Sequence, residues 1–129
     1  MREDISSGDL AYLGDAVIEL LVRRDIVNEG RAKHPSDEAV KFVCAAAQSD
    51  ALSKIEEHFT EEEADVYRRA RNNYHTSNVP KSATALQYRR ATGFEAVFGY
   101  LYLKGDAHRI ETLFKIAYGQ EINTERNMK

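Results

Sequence analysis

At 129 residues the chain is long enough for one domain with a core of its own, and 43% hydrophobic with 30% charged residues is the balance of a globule rather than a disordered tail. The single cysteine, Cys44, excludes an intrachain disulfide, and nothing after Met1-Arg2-Glu3-Asp4 resembles a signal core or the roughly 18 apolar residues of a membrane span. The expectation is a cytoplasmic protein with no membrane attachment, and its formal charge of −3 at first argues against a polyanion partner.

Two prolines and seven glycines favour long helices over a many-turned β fold. A first helix starts at Ser7 or Asp9, either able to cap it, and stops at Asn28-Glu29-Gly30. Leu10, Leu13, Val17, Leu20 and Leu21 form one apolar stripe along it, with Ala11, Ile18 and Val22 in a second, so it is deeply buried or shared with another chain. Pro35-Ser36-Asp37, with Ser36 as cap, opens a second helix whose apolar period runs to about Glu57 and includes Cys44 in the core. Thr60-Glu61-Glu62-Glu63 is a capping-box pattern for a third helix ending near Arg71. Residues 72–82 read as a polar loop. A fourth helix spans Ala83 to Leu103 and is closed by Gly105; Asp106 caps a last one that ends at Tyr118, before Gly119. No segment alternates as a strand does. The expected fold is all-α, one helical-bundle domain over residues 1–129.

Two acids stand in apolar settings: Asp15 inside Leu10 to Val22, and Glu95 inside Gly93 to Leu103. Burying an unpaired carboxylate costs several kcal/mol or keeps it protonated, so each needs a cation, either a metal or an arginine such as Arg23 or Arg89. Gly14, Gly93 and Gly99 sit inside helices, where glycine costs about 1 kcal/mol relative to alanine but lets another backbone approach. Together they predict two helices in close contact, each bringing one carboxylate to a shared point. Charge is also segregated. Val66 to Phe94 carries Arg68, Arg69, Arg71, Lys81, Arg89 and Arg90 with no acid, which at +6 leaves −9 for the rest of the chain. That is the electrostatic footprint of a polyanion partner, although a solvated helix end and loop would look similar.

The string Tyr12-Leu13-Gly14-Asp15-Ala16-Val17-Ile18-Glu19 is similar to the ribonuclease III signature, and Phe94-Glu95-Ala96-Val97-Phe98-Gly99 through Leu103 to that family's second acidic motif. Arg71-Asn72, Val79-Pro80-Lys81 and Gln87-Tyr88-Arg89 extend the resemblance over nearly the whole chain, and it is nearest to Mini-III, the subclass with a catalytic domain and no separate double-stranded-RNA-binding domain. The resemblance implies an endonuclease that hydrolyses phosphodiesters in double-stranded RNA, leaving a 5′ phosphate and a 3′ hydroxyl, and that matures large-subunit (23S) ribosomal RNA precursor. It gives Asp15 and Glu95 the catalytic, metal-binding role, with Mg²⁺ as the cofactor and Mn²⁺ as a substitute. Larger members carry two further acids at the positions of Ala11 and Thr92, which leaves the number of metal ions open.

Mg²⁺ often takes only one or two protein carboxylates with water and phosphate oxygens, so two acids suffice. Glu19, one turn after Asp15, is a candidate to hold a water beside the metal, or is simply an ion-paired acid. Duplex RNA is read by shape through phosphate and 2′-hydroxyl contacts. The candidate contacts are Arg68, Arg69, Arg71, Asn72, Tyr74, His75, Lys81 and Arg89. A homodimer would match the approximate two-fold axis of a duplex, using the first helix and the Phe98 to Leu103 run. The four histidines lie too far apart for a zinc site, and no glycine-rich phosphate loop is present. Two rival readings remain: a silent dimer that only grips structured RNA, and a helical nucleoside triphosphate pyrophosphohydrolase. The latter needs clustered acids on facing helices, and Glu61-Glu62-Glu63 fits a capping first turn better.

Overall fold

The computed structural model describes residues 1–30, 33–73, 81, 83–119 and 122. Among the described residues six α-helices follow one another: α1 Ser7–Glu29, α2 Pro35–Val43, α3 Ala45–Ile55, α4 Glu61–Asn72, α5 Ala85–Lys104 and α6 Ala107–Phe114. A 3₁₀ turn, Glu56–His58, links α3 to α4, and a π turn, Lys115–Gly119, extends α6. Among the described residues there is no strand, in keeping with the all-α expectation.

Local chemistry explains the helix ends. Ser6, one residue before the expected caps, accepts from the Asp9 N–H at 3.0 Å. Thr60 and Glu63 form the anticipated capping box, and Thr84 with Gln87 forms a second one that starts α5. Gly30 and Gly105 close α1 and α5 in the left-handed conformation, φ 70° and 81°, that an L side chain resists. Pro35 occupies the first turn of α2, where its missing N–H costs nothing; His34, rather than Ser36, stands at the cap position.

The expected second helix is two helices. At Cys44 the backbone turns extended, ψ 159°, while its N–H still bonds the Val40 carbonyl and its own carbonyl accepts from Gln48. The break lets Ala39 and Phe42 of α2 and Ala51, Leu52 and Ile55 of α3 all face the core. Val43-Cys44-Ala45 contains no proline or glycine, so no local signal marks the break. Cys44 is exposed at the corner, not buried as its apolar neighbours suggest.

Helix α5 runs through the middle of the molecule, packed against α1, α3, α4 and α6. Phe94, Ala96, Val97 and Phe98 are fully enclosed, which is why the helix is apolar on more than one face. Tyr118 joins Phe42, Phe94 and Phe114 in an aromatic cluster, with Phe42 and Phe94 meeting it edge-on. Arginines help to clamp the bundle. Arg109 of α6 donates to both carboxylate oxygens of the buried Glu63 at 2.9 Å, and to the His58 carbonyl. Arg90 of α5 donates to the Ser49 hydroxyl and carbonyl and to the Ser53 hydroxyl of α3.

On α1 the buried face is Leu10, Ala11, Gly14, Val17, Ile18, Leu21, Val22 and Ile26. Leu20 of the expected first stripe is exposed, as are Tyr12 and Val27.

Candidate active site

Helices α1 and α5 cross at backbone contact distance. A Cβ placed on Gly14 would lie 1.6 Å from the Glu95 carbonyl oxygen, and one on Gly99 would lie 2.0 Å from that of Leu10. The two glycines thus answer each other across the crossing, and any side chain at either would drive the helices apart. Gly93 serves a different contact, since a Cβ there would strike the Tyr67 ring of α4. The residue after Gly14 is Asp15, and Glu95 is itself the residue whose carbonyl Gly14 meets. The crossing therefore sets their two side chains together.

The environments of the two acids differ. Asp15 is exposed, contrary to the expectation that both sit within apolar surroundings; Glu95 is mostly buried. Burial pushes the Glu95 carboxyl up to about 9, and the charge of Asp15 and a hydrogen bond to it add to the rise. Glu19 contributes a further repulsion, while the Gln48 amide works the other way by donating to Glu95 Oε2 at 3.4 Å. Among the described residues no lysine or arginine forms an ion pair with either acid. Arg23, one candidate partner, instead pairs with Glu19 at 3.1 Å. Arg89, the other, donates to the Arg71 carbonyl at 3.4 Å. Two carboxyls at a helix crossing, neither ion-paired among the described residues, are suited to a divalent cation. The donors are all carboxyl oxygens, and among the described residues no group of three or more His, Cys, Asp or Glu is arranged to hold a metal ion, so the two acids would have to be completed by water and substrate oxygens. Ala11 is buried beside Leu10, Ala70 and Ala96, and Thr92 bonds back to the Tyr88 carbonyl, so neither position supplies a third acid.

The basic span is less uniformly free than its composition suggests. Asp65, one residue upstream of it, pairs with both Arg68 and Arg69. Arg71 lies over the Tyr67 ring, 5.4 Å from its centroid, and donates to Asn72 at the end of α4. Lys81 and Asn72 are exposed. Arg89 is half-buried and bonds a carbonyl in the last turn of α4. Tyr74 and His75 lie outside the described residues. Gln48, which contacts Glu95, is a site residue that the motifs leave out. Gln48 carried a signal, because it stands four residues before Leu52 on the buried stripe of α3, where an apolar side chain is expected.

The Ribonuclease III domain model matches residues 8–106, a stretch that contains both acids and the crossing glycines. The chain belongs to the ribonuclease III family. This ribonuclease III protein is 42% identical over 110 residues to the Mini-ribonuclease 3 of Symbiobacterium thermophilum, covering 84% of each chain. It is also 42% identical over 109 residues to that of Streptococcus pneumoniae, covering 81% of this chain and 84% of the relative. The Thermoanaerobacter sp. Mini-ribonuclease 3 is 39% identical over 110 residues, 84% of this chain and 77% of the relative. A crystal structure of a Fusobacterium nucleatum protein superposes with a TM-score of 0.81 at 32% identity, covering 92% of this chain and 96% of that one. The ribonuclease III protein is accordingly an endoribonuclease that hydrolyses RNA. Among its described residues, no helix is long and apolar enough to cross a membrane.

Proposed function

We propose that this ribonuclease III protein cuts double-stranded RNA with Mg²⁺, for which Mn²⁺ substitutes, and works as a cytoplasmic homodimer. Residues 1–129 act as one catalytic domain. The products carry a 5′ phosphate and a 3′ hydroxyl, and the substrate is a stem of the large-subunit (23S) ribosomal RNA precursor. The observation that carries this reading is the meeting of Asp15 and Glu95 at the α1–α5 crossing, with Glu95 raised to about 9 and neither acid ion-paired among the described residues.

Asp15 and Glu95 are the residues that would hold the cation. A divalent ion bound there supplies Lewis acidity to a scissile phosphate. Glu95 keeps its proton near neutral pH while the pair stands alone, and yields it when positive charge arrives. Exposed Asp15 faces the side from which RNA approaches. Glu19, one turn along α1, is assigned the holding of a water beside the pair, for which it must release Arg23. The rigid glycine crossing keeps the two carboxylates in register, so their geometry is prepared before substrate binds.

Arg68, Arg69, Arg71, Asn72, Tyr74, His75 and Lys81 are assigned to phosphates and 2′-hydroxyls along a duplex, with Arg89 supporting the end of α4. Tyr12 and Leu20, exposed on α1, and Tyr102 and Leu103, exposed on α5, support a second copy of the chain as the occupant of that apolar surface. Incubation of a perfect RNA duplex with wild type, Asp15→Asn and Glu95→Gln, in Mg²⁺ or EDTA, tests the assignment. Cleavage by wild type in Mg²⁺ alone is expected, with losses of orders of magnitude in both variants while light scattering shows folded dimers. Duplex binding without cleavage, indifferent to Asp15→Asn, would instead make the protein a silent RNA-gripping module.

A further inference from the structure

We propose that Gln48 is a positioning residue for the acid pair: its buried amide orients the Glu95 carboxylate toward the point shared with Asp15. The inference rests on the assignment of Asp15 and Glu95 to a divalent cation, and extends it to a third helix that sequence motifs leave out.

Gln48 is 1% exposed and lies on the face of α3 that carries Ala51, Leu52 and Ile55. Filling that space needs only a leucine or methionine. A buried amide left without a partner costs about 1–3 kcal/mol, so glutamine belongs there only if the amide is used. Its Nε2 donates to Glu95 Oε2 at 3.4 Å. A glutamate carboxylate rotates within a broad terminal torsion, and a donor fixed to one oxygen holds its plane. The remaining lone pairs are then presented in one direction, as a cation shared with Asp15 requires.

The amide is itself held in place. Arg90, on the same helix as Glu95, donates to the hydroxyl (2.8 Å) and carbonyl (3.0 Å) of Ser49, the residue following Gln48. It also donates to the Ser53 hydroxyl one turn later at 2.6 Å. The register of α3 against α5 is therefore set within one residue of Gln48. The extended backbone at Cys44 starts α3 afresh four residues earlier, which frees it to take this register independently of α2.

Mn²⁺ binding, read from the free-ion electron paramagnetic resonance signal with and without bound duplex, tests the proposal alongside steady-state cleavage. Gln48→Met keeps the packing and removes the donor. Gln48→Asn keeps an amide and withdraws it by one methylene, and it decides the matter if the methionine variant fails to fold. Each is expected to weaken Mn²⁺ binding by about tenfold to a hundredfold. At fixed Mg²⁺, kcat should fall and recover as Mg²⁺ is raised, with KM for the duplex unchanged. Folded Gln48 variants that bind Mn²⁺ as wild type does, while Glu95→Gln does not, would overturn the role of Gln48. Unimpaired Mn²⁺ binding by Glu95→Gln would instead remove the metal assignment beneath it.

Discussion

Replacing Glu95 with glutamine is expected to stabilise the cation-free protein above neutral pH, the reverse of what deleting a buried polar contact usually does. In the folded chain the Glu95 carboxyl is pushed up to about 9, by burial first and by Asp15 second. An unfolded chain releases the same proton near pH 4.3–4.5, on the order of the free side-chain value. Between those two values the native state holds a proton that the unfolded state has lost. Stability therefore falls as pH rises through the window, by up to about 1.4 kcal/mol per pH unit. Below the window both states are protonated and the penalty is absent; above it the penalty is complete. From pH 5 to pH 8 the loss is on the order of 4 kcal/mol, a large share of the stability of a small domain. The substituted glutamine side chain has no proton to lose, can accept from Gln48 and can donate to Asp15, so its packing and hydrogen bonds are retained. Urea midpoints in EDTA at pH 5, 6, 7 and 8 should diverge steadily in favour of Glu95→Gln. Adding Mg²⁺ should then restore wild type alone, because the cation binds the ionised pair. Parallel pH profiles for the two proteins would refute the coupling of burial and charge at this site.

Two further outcomes follow from the geometry. Gly14→Ala places a Cβ against the Glu95 carbonyl, and the resulting helix separation should cost about 3 kcal/mol or more and abolish cleavage. An unchanged melting temperature would contradict the backbone contact. Lys81→Ala and Arg71→Ala should each reduce the salt dependence of duplex binding by about one unit of slope, measured by fluorescence anisotropy over a range of KCl. An unaltered slope would remove that residue from the RNA face.

The legible parts of the site were those expressed over a few residues. Gly14 next to Asp15, and Gly99 four residues after Glu95, announced a close helix crossing with an acid on each side, because glycine within a helix has few other uses. Composition showed the basic span but could not show Asp65, just outside it, taking up both Arg68 and Arg69. Nor could it separate Arg90, bound to Ser49 and Ser53, from arginines turned outward.

What the chain determines by itself is its all-helical character and most of the helix punctuation. The Thr60 capping box, the closing glycines at 30 and 105, and the apolar period of α5 act through hydrogen bonds and contacts a turn or two long. Tertiary structure alone decided the break at Cys44, the exposure of Asp15, the burial of Glu95 and its contact with Gln48. Each depends on which surfaces are covered by segments tens of residues away. Whether a given carboxyl is covered, and what it meets across the bundle, are properties of such encounters, and the local order of side chains does not carry them.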